Sequence, residues 1–244
     1  MRNDMIKYLN VFLFLSMLVM NYLANALPLN NKTTGELSDS FPNLFVPAGI
    51  TFSIWGVIYL LLLLFSIFQF TARGKEIEGA TGWLFAVTCV LNALWIVAWH
   101  YGRLPLSLIL MTGLLITLIY INKAASTLPY GLIKASFGIY LGWICIATVA
   151  NVTTLLVNYG WNGFNVSQET WTVILIFAGA AIASLSLLLL KNPFIGLSVI
   201  WAFIGIAIKR QEDYRIIFVS AILALILVSI VTIWGFLRKT QAWI

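Results

Sequence analysis

The chain has 244 residues, of which 61% are hydrophobic and 9% are charged, whereas an ordinary soluble domain has about 25% charged residues. This composition excludes a soluble globular protein. The net charge of +6 would favour nucleic acid or acidic partners in a soluble protein, but membrane topology explains the basic excess more simply. We therefore expect a protein that is surrounded by the lipid bilayer and binds no nucleic acid.

Apolar segments of membrane-spanning length follow one another along the whole chain. A helix needs about 20 mostly apolar residues to cross the hydrocarbon core. Eight segments are close to that length or exceed it: residues 8–29, 44–70, 82–101, 104–122, 134–158, 170–190, 192–208 and 216–237. The sequence therefore predicts an all-α fold, a polytopic transmembrane helix bundle with eight spans.

The segment 192–208 leaves a seven-span bundle as an alternative. It has 17 residues and contains Pro193 near its start, so as a helix it would reach only about 26 Å. With eight spans, nine basic residues lie on the side of the N-terminus and five on the other side; with seven spans the numbers are ten and four. Charge slightly favours seven spans. Hydropathy favours eight, which we expect because residues 194–208 are almost purely apolar.

The N-terminal segment has two interpretations. Arg2 and Lys7 precede the apolar run, and the small residues Ala24 and Ala26 near its end resemble a signal-peptidase site. A cleaved signal peptide is therefore an alternative. Because the run is long enough to span, we expect it to remain as the first helix of a multi-pass protein of the cell membrane, with a cytoplasmic N-terminus.

Charged residues are confined to loops and helix ends in the predicted topology. The single histidine, His100, closes the third span, and the two cysteines have no metal-binding spacing. The predicted spans therefore lack the residues that usually carry proton relays or acid/base catalysis at membrane depth. We expect no catalytic residue, no metal site and no required cofactor, so the chain is not predicted to be an enzyme.

Tryptophans inside the spans point to a pocket. Six of the ten tryptophans lie near span ends, where the aromatic-belt preference explains them. The other four, Trp55, Trp95, Trp143 and Trp201, lie well inside their segments. An indole N–H at that depth needs an acceptor that lipid does not supply. These side chains are therefore expected to face other helices or a cavity, with interhelical packing as the alternative.

Helical spacing places polar side chains on the same faces as these tryptophans. Tyr59 lies four residues after Trp55, Asn92 three residues before Trp95, and Asn151 eight residues after Trp143. Uncharged indoles and carboxamides suit a large flat apolar molecule with few polar groups. For the two asparagines, hydrogen bonding between helices is the slightly favoured alternative.

Three short motifs follow one another along the first part of the chain. They are FVP at 45–47 with FSIWGVIY at 52–59, LNALW at 91–95 with WHYG at 99–102, and YLGW at 140–143 with ATVAN at 147–151. In this order and spacing they resemble the TspO/MBR family, the tryptophan-rich sensory proteins related to the mitochondrial translocator protein. The similarity extends over about residues 1–158, the length of that family's five helices, and residues 159–244 add a further membrane region.

The resemblance implies a five-helix ligand-binding bundle over residues 1–158, with additional C-terminal transmembrane helices over residues 159–244. It implies a pocket that opens towards the first loop and binds a porphyrin-like or other bulky hydrophobic molecule. By motif position, the pocket residues are Pro47, Trp55, Tyr59, Asn92, Trp95, Trp143 and Asn151. The double proline usual before the second helix of the family is here Pro42 and a single Pro47.

Two functions follow from these observations. The first is an integral membrane ligand-binding or sensory protein of TspO type, with a porphyrin or other tetrapyrrole as ligand. The alternative is a transporter or permease for hydrophobic small solutes, which the extra C-terminal helices favour and the lack of coupling charges disfavours. The sequence leaves open a homodimer, the natural ligand and the role of the C-terminal helices.

Overall fold

The computed structural model describes residues 2–27, 29–72, 74–129 and 131–240, and within these ranges it describes the backbone alone at 2–4, 75–80, 239 and 240. This part of the chain is helical and contains no strand. Short 3₁₀ turns lie at Leu29–Asn31, Gly49–Ser53 and Gly163–Asn165. The helices are α1 (Arg2–Ala26), α2 (Thr34–Asp39), α3 (Ile54–Phe68), α4 (Lys75–His100), α5 (Leu104–Ala125), α6 (Gly131–Asn158), α7 (Gln168–Leu189), α8 (Phe194–Arg210) and α9 (Arg215–Thr240).

The predicted polytopic helix bundle is confirmed. Within the described residues, seven helical segments are long and apolar enough to cross a membrane: Met5–Ala26, Gly49–Phe68, Thr81–His100, Leu104–Ala125, Gly131–Asn158, Gln168–Leu189 and Arg215–Arg238. Helix α8 has 17 residues and is shorter than each of those seven, which have 20 to 28 residues.

Helix α8 nevertheless runs from one end of the bundle to the other. Just before it, the Asn192 side chain donates hydrogen bonds to Asn122 Oδ1 at 2.7 Å and to the Lys134 carbonyl oxygen at 2.8 Å. At its last residue, Arg210 bonds the Asn43 carbonyl oxygen in the first loop, residues 27–53. We call the end of the bundle where the first loop lies the loop end. The eighth predicted segment therefore traverses the bundle as a helix.

The turn between α4 and α5 shows how local sequence sets the helix ends. Gly102 has a φ of +66°, a left-handed conformation that glycine adopts without steric cost. The Arg103 N–H then bonds the Ala98 carbonyl oxygen at 2.8 Å, and Pro105 lies in the first turn of α5, where its missing N–H is not needed. The tight turn makes α4 and α5 antiparallel neighbours that pack extensively against each other.

Helix α6 is the centre of the bundle and contacts α3, α5, α7 and α8. Its GxxxG step lies against α8: a Cβ added at Gly142 would be 2.1 Å from the Ile195 carbonyl oxygen, and one at Gly138 would be 2.6 Å from Asn192 Nδ2. The two glycines thus allow the backbones of α6 and α8 to approach closely. The division into residues 1–158 and 159–244 stays a prediction.

Only some of the basic residues at the two ends of the bundle have described side chains. The side chains of Arg2, Lys75 and Lys239, and the whole of Arg73, lie outside the described part of the chain. The charge comparison that favoured a cytoplasmic N-terminus therefore stays a prediction from the sequence.

Candidate functional site

An aromatic cavity lies beneath the first loop, between that loop, α3, α4 and α6. Five of the seven residues predicted from the sequence line it: Pro47, Trp55, Trp95, Trp143 and Asn151. The other lining residues are Thr34, Ser38, Phe52, Trp99, Ile146, Ala147, Ala150 and Thr154. We call this space the aromatic cavity.

Four aromatic rings from α3 and α4 form a continuous row beside the aromatic cavity. Trp55 stacks on Tyr59 with ring centroids 5.6 Å apart, and on Trp95 at 6.4 Å. Trp95 in turn stacks on Trp99 at 6.0 Å. The planes of neighbouring rings differ by 25°, 28° and 21° along the row. The four rings therefore lie at similar tilts and pack against one another along the side of the cavity.

Trp143 closes the row from the side of α6. Its ring meets Trp55 edge to face at 6.4 Å and Phe52 edge to face at 5.9 Å. Phe52 belongs to the first loop, so this contact joins the loop to the helices. The faces and edges of aromatic rings attract each other through their opposite partial charges, which fixes the relative positions of α3, α6 and the loop.

Two indole N–H groups at the aromatic cavity have no hydrogen-bond acceptor. They belong to Trp95 and Trp99, which are 6% and 5% exposed. A buried donor that is left unpaired costs about 1–3 kcal/mol. Among the described side chains, the only other buried polar atoms without a partner are Asn10 Oδ1 and Gln69 Nε2, of side chains that bond each other. The unpaired donors at the cavity are thus exceptional in this protein.

The aromatic cavity is small with the loop in this position. The volume open to the centre of a water-sized sphere is about 50 Å³, enough for a few water molecules. Pockets that enclose drug-sized ligands have volumes of about 300–1,000 Å³. A bulky ligand therefore needs the walls of the cavity to move apart.

Asn92 lies away from the aromatic cavity and joins three helices. It accepts a hydrogen bond from Asn21 Nδ2 on α1 at 2.8 Å, and its own Nδ2 donates to the Tyr140 hydroxyl oxygen on α6 at 2.9 Å. All three residues are buried. This is the interhelical arrangement that the sequence left as the alternative for Asn92. Tyr59, also outside the cavity lining, stacks behind Trp55.

Asn151 both lines the aromatic cavity and bonds a neighbouring helix. Its side chain and the Ser107 hydroxyl on α5 form a mutual pair, with Nδ2 to Oγ at 2.9 Å and Oγ to Oδ1 at 3.2 Å. The carboxamide is therefore held in a fixed orientation at the cavity wall.

His100 fastens the first loop to the end of α4 and is 1% exposed. Its Nδ1 lies 2.9 Å from the Leu29 carbonyl oxygen and its Nε2 lies 3.1 Å from the Thr34 hydroxyl. Because a carbonyl oxygen only accepts, Nδ1 donates to Leu29, while Nε2 and the Thr34 hydroxyl form the second hydrogen bond. Both ring nitrogens are therefore engaged in holding the loop.

Several residues of this site were missed or misassigned in the sequence. The position of Trp99 near a span end predicts the aromatic belt, whereas its four-residue spacing places it on the same face of the helix as Trp95. Trp99 is buried at the aromatic cavity, so the belt assignment is wrong and the shared face is correct. Trp201, which was expected to face other helices or a cavity, is not in the cavity lining, and its Nε1 donates to the Thr51 carbonyl oxygen of the first loop at 3.0 Å. Nothing in the local sequence around Arg210 signals that it holds the first loop.

The fold and the cavity define an integral membrane protein, a multi-pass helical bundle with an aromatic cavity at one end. The family model described as TSPO-like protein matches residues 7–234, from the first turns of α1 to the last turns of α9. The chain therefore belongs to the family of TSPO-like proteins. Comparison with curated proteins and with solved structures found no match.

Proposed function

We propose that the protein binds a flat, bulky hydrophobic molecule of porphyrin type in the aromatic cavity. The observation that carries this proposal is the pair of buried, unpaired indole N–H groups of Trp95 and Trp99 at the end of a row of stacked rings. A tetrapyrrole offers a planar face for stacking and carboxylate oxygens that accept hydrogen bonds. Such a ligand would use both features of the cavity at once.

Stacking and hydrogen bonds can supply useful affinity here without an ion pair. A micromolar dissociation constant corresponds to about 8 kcal/mol. Each aromatic pair contributes about 0.5–1.5 kcal/mol beyond its buried area, and each hydrogen bond contributes about 0.5–1.5 kcal/mol. Burial of the macrocycle adds further binding free energy, and the cost of moving the cavity walls offsets part of the total. Micromolar affinity is therefore the expected range.

We propose binding without chemical turnover, as in a sensory protein, with no cofactor required. Among the lining residues, Asn151 pairs with the Ser107 side chain, and Thr34 pairs with the His100 side chain. A nucleophile needs an adjacent base to activate it; a carboxamide is a poor base, and we assign the Thr34–His100 contact to holding the first loop, since the same imidazole also bonds the Leu29 carbonyl oxygen. The ligand should be recovered unchanged after incubation with the protein.

The test is titration of the purified protein with protoporphyrin, followed by quenching of tryptophan fluorescence. Trp95→Phe and Trp143→Phe should weaken binding, Trp95→Phe by about 5–10-fold for the loss of one hydrogen bond. Trp83→Phe is the matched control, since Trp83 lies on the same helix as Trp95 but is 65% exposed. Equal affinity in all four proteins would overturn the proposed site.

A second measurement separates binding from the alternative function, transport. The protein is reconstituted in vesicles, and protoporphyrin uptake is followed with and without an ion or voltage gradient. A sensor binds at equilibrium and moves nothing. Uptake that depends on the gradient and is lost in Trp95→Phe would replace the binding proposal with the transport alternative.

A further inference from the structure

The first loop forms one wall of the aromatic cavity. Four of its residues, Thr34, Ser38, Pro47 and Phe52, line that space. Since about 50 Å³ is too little for a bulky ligand, the wall formed by the loop is the part whose position decides access. What holds the loop in place therefore bears directly on the site.

Helix α8 holds the loop through a buried cation. Arg210 is 9% exposed, and its Nε and Nη2 donate to the carbonyl oxygens of Leu44 and Asn43, each at 3.0 Å. Burying a guanidinium is costly unless hydrogen bonds satisfy its donors. The loop backbone supplies two of these bonds, so Arg210 and the loop segment at 43–44 stabilise each other's position.

Three further contacts extend along the last three turns of α8. Lys209 forms an ion pair with Asp39. The Trp201 indole N–H donates to the Thr51 carbonyl oxygen at 3.0 Å. The Ala48 N–H donates to the Gly205 carbonyl oxygen at 3.0 Å. Together with Arg210, these contacts hold the loop from Asp39 to Thr51.

Gly205 allows the closest part of this contact. A Cβ added there would lie 2.1 Å from Thr51 Cγ2 and 3.0 Å from Pro47 Cβ. Any larger residue at 205 would push away the segment that carries Pro47, a residue of the cavity lining. The surface of α8 is thus fitted to the loop at its centre as well as at its end.

We propose that α8 is a latch that keeps the first loop closed over the aromatic cavity, and that release of this latch admits the ligand. The C-terminal helices thereby regulate access to a site built by the N-terminal ones. The restraint on the loop stands on the contacts alone, whereas its effect on ligand entry rests on the proposed function.

The restraint is tested by amide hydrogen exchange of residues 39–52 in the full-length protein, without ligand. In Arg210→Gln, exchange in this segment should be at least about tenfold faster, because hydrogen bonds from a charged donor are lost. Arg215→Gln is the matched control, an exposed arginine at the start of α9. If Arg210→Gln does not fold, Lys209→Gln and Trp201→Phe serve instead. Unchanged exchange in the folded latch variants would overturn the latch.

Ligand entry is tested by stopped-flow mixing of protoporphyrin with the same variants. We expect a faster association rate in the latch variants and an unchanged rate in Arg215→Gln. If the wild type binds and the loop exchanges faster but the association rate does not change, the latch does not regulate access and the inference is wrong. If no variant binds protoporphyrin, the proposed function fails, and hydrogen exchange alone decides whether α8 restrains the loop.

Discussion

Trp55 on α3 stacks on Trp95 on α4, with ring centroids 6.4 Å apart and planes inclined by 28°. These two residues are 40 positions apart in the sequence, and their contact joins two helices that share few other interactions. It places the row of rings beneath the first loop and leaves the Trp95 N–H buried without an acceptor. The stack thus links the packing of the bundle to the chemistry of the cavity.

The unpaired donor makes Trp95→Phe an informative stability variant. The change removes buried aromatic area, which lowers stability. It also removes an unpaired N–H, and because a buried unpaired donor costs about 1–3 kcal/mol, this raises stability. We expect the two effects nearly to cancel. Trp171→Phe removes an indole N–H that donates to the Gly163 carbonyl oxygen at 2.8 Å, so it should lower the free energy of unfolding by about 1–2 kcal/mol.

Unfolding of both variants is followed by circular dichroism in detergent micelles. A loss in Trp95→Phe larger than that in Trp171→Phe would contradict the assignment of the Trp95 N–H as unpaired in the ligand-free protein.

Asn92→Leu should lower stability without affecting the ligand site. The change removes two buried interhelical bonds, to Asn21 and Tyr140, so we expect a loss of about 2–4 kcal/mol. Tyr140→Phe should then cost about 1 kcal/mol less in the Asn92→Leu background than in the wild type, because the shared bond is already lost. The affinity of the folded Asn92→Leu protein for protoporphyrin should equal that of the wild type. A weaker affinity would show that Asn92 contributes to the ligand site.

The sequence predicted those parts of the site that depend on helix periodicity. Trp143 and Asn151 share a face of α6 because eight residues complete slightly more than two turns, and both line the aromatic cavity. Pro47 was found through the family motif. The partner of Asn92 could not be predicted, because Asn21 lies 71 residues away and periodicity within one helix says nothing about which helices meet.

The path of the first loop could likewise not be predicted from the sequence. Arg210 at the end of α8 meets carbonyl oxygens 166 and 167 residues earlier in the chain. Backbone carbonyl groups are present at every residue, so no side-chain pattern marks the ones that Arg210 binds. The role of α8 therefore follows only from its packing against α6 and the loop.

Gly142→Ala should disturb the α6–α8 contact. The new methyl group would lie 2.1 Å from the Ile195 carbonyl oxygen, and overpacking of this kind costs about 1–3 kcal/mol. Gly56→Ala is the matched control: it lies in α3, is exposed, and its added Cβ would have no neighbour within 4 Å. Since alanine favours a helix over glycine by about 0.5–1 kcal/mol, Gly56→Ala should leave stability unchanged or raise it. The two free energies of unfolding are compared in the same detergent, and equal effects would contradict the close approach.

Acid should loosen α2 of the first loop. The Thr33 N–H donates to Glu36 Oε2 at 2.8 Å and the Thr33 hydroxyl donates to it at 2.9 Å. These bonds, the backbone one first, lower the pKa of Glu36 from its ordinary value of 4.5. Because the pKa is lower in the folded than in the unfolded chain, the stabilising contribution is complete above pH 4.5 and is lost as the pH falls through the folded pKa.

The measurement is amide protection of α2, corrected for intrinsic exchange, at about pH 6 and about pH 3.5, on either side of the ordinary glutamate pKa. Protection in the wild type should fall at the lower pH relative to Glu36→Gln, in which a neutral amide oxygen replaces the carboxylate at both pH values. Parallel changes in the two proteins would show that Glu36 does not set the acid response.

Cysteine labelling of intact cells should place the loop end outside. We propose a cytoplasmic N-terminus, because nine of the 14 basic residues then lie inside. The native Cys89 and Cys145 are buried and should not react with a membrane-impermeant maleimide. Lys32→Cys in the first loop and Arg215→Cys at the start of α9 should be labelled, since α8 returns the chain to the loop end. Lys191→Cys, exposed between α7 and α8, should be labelled only after the membrane is permeabilised.

Two outcomes would contradict this topology. Labelling of Lys191→Cys in intact cells would show that the orientation is the opposite one. Different behaviour of the Lys32→Cys and Arg215→Cys proteins would show that α8 does not cross the membrane.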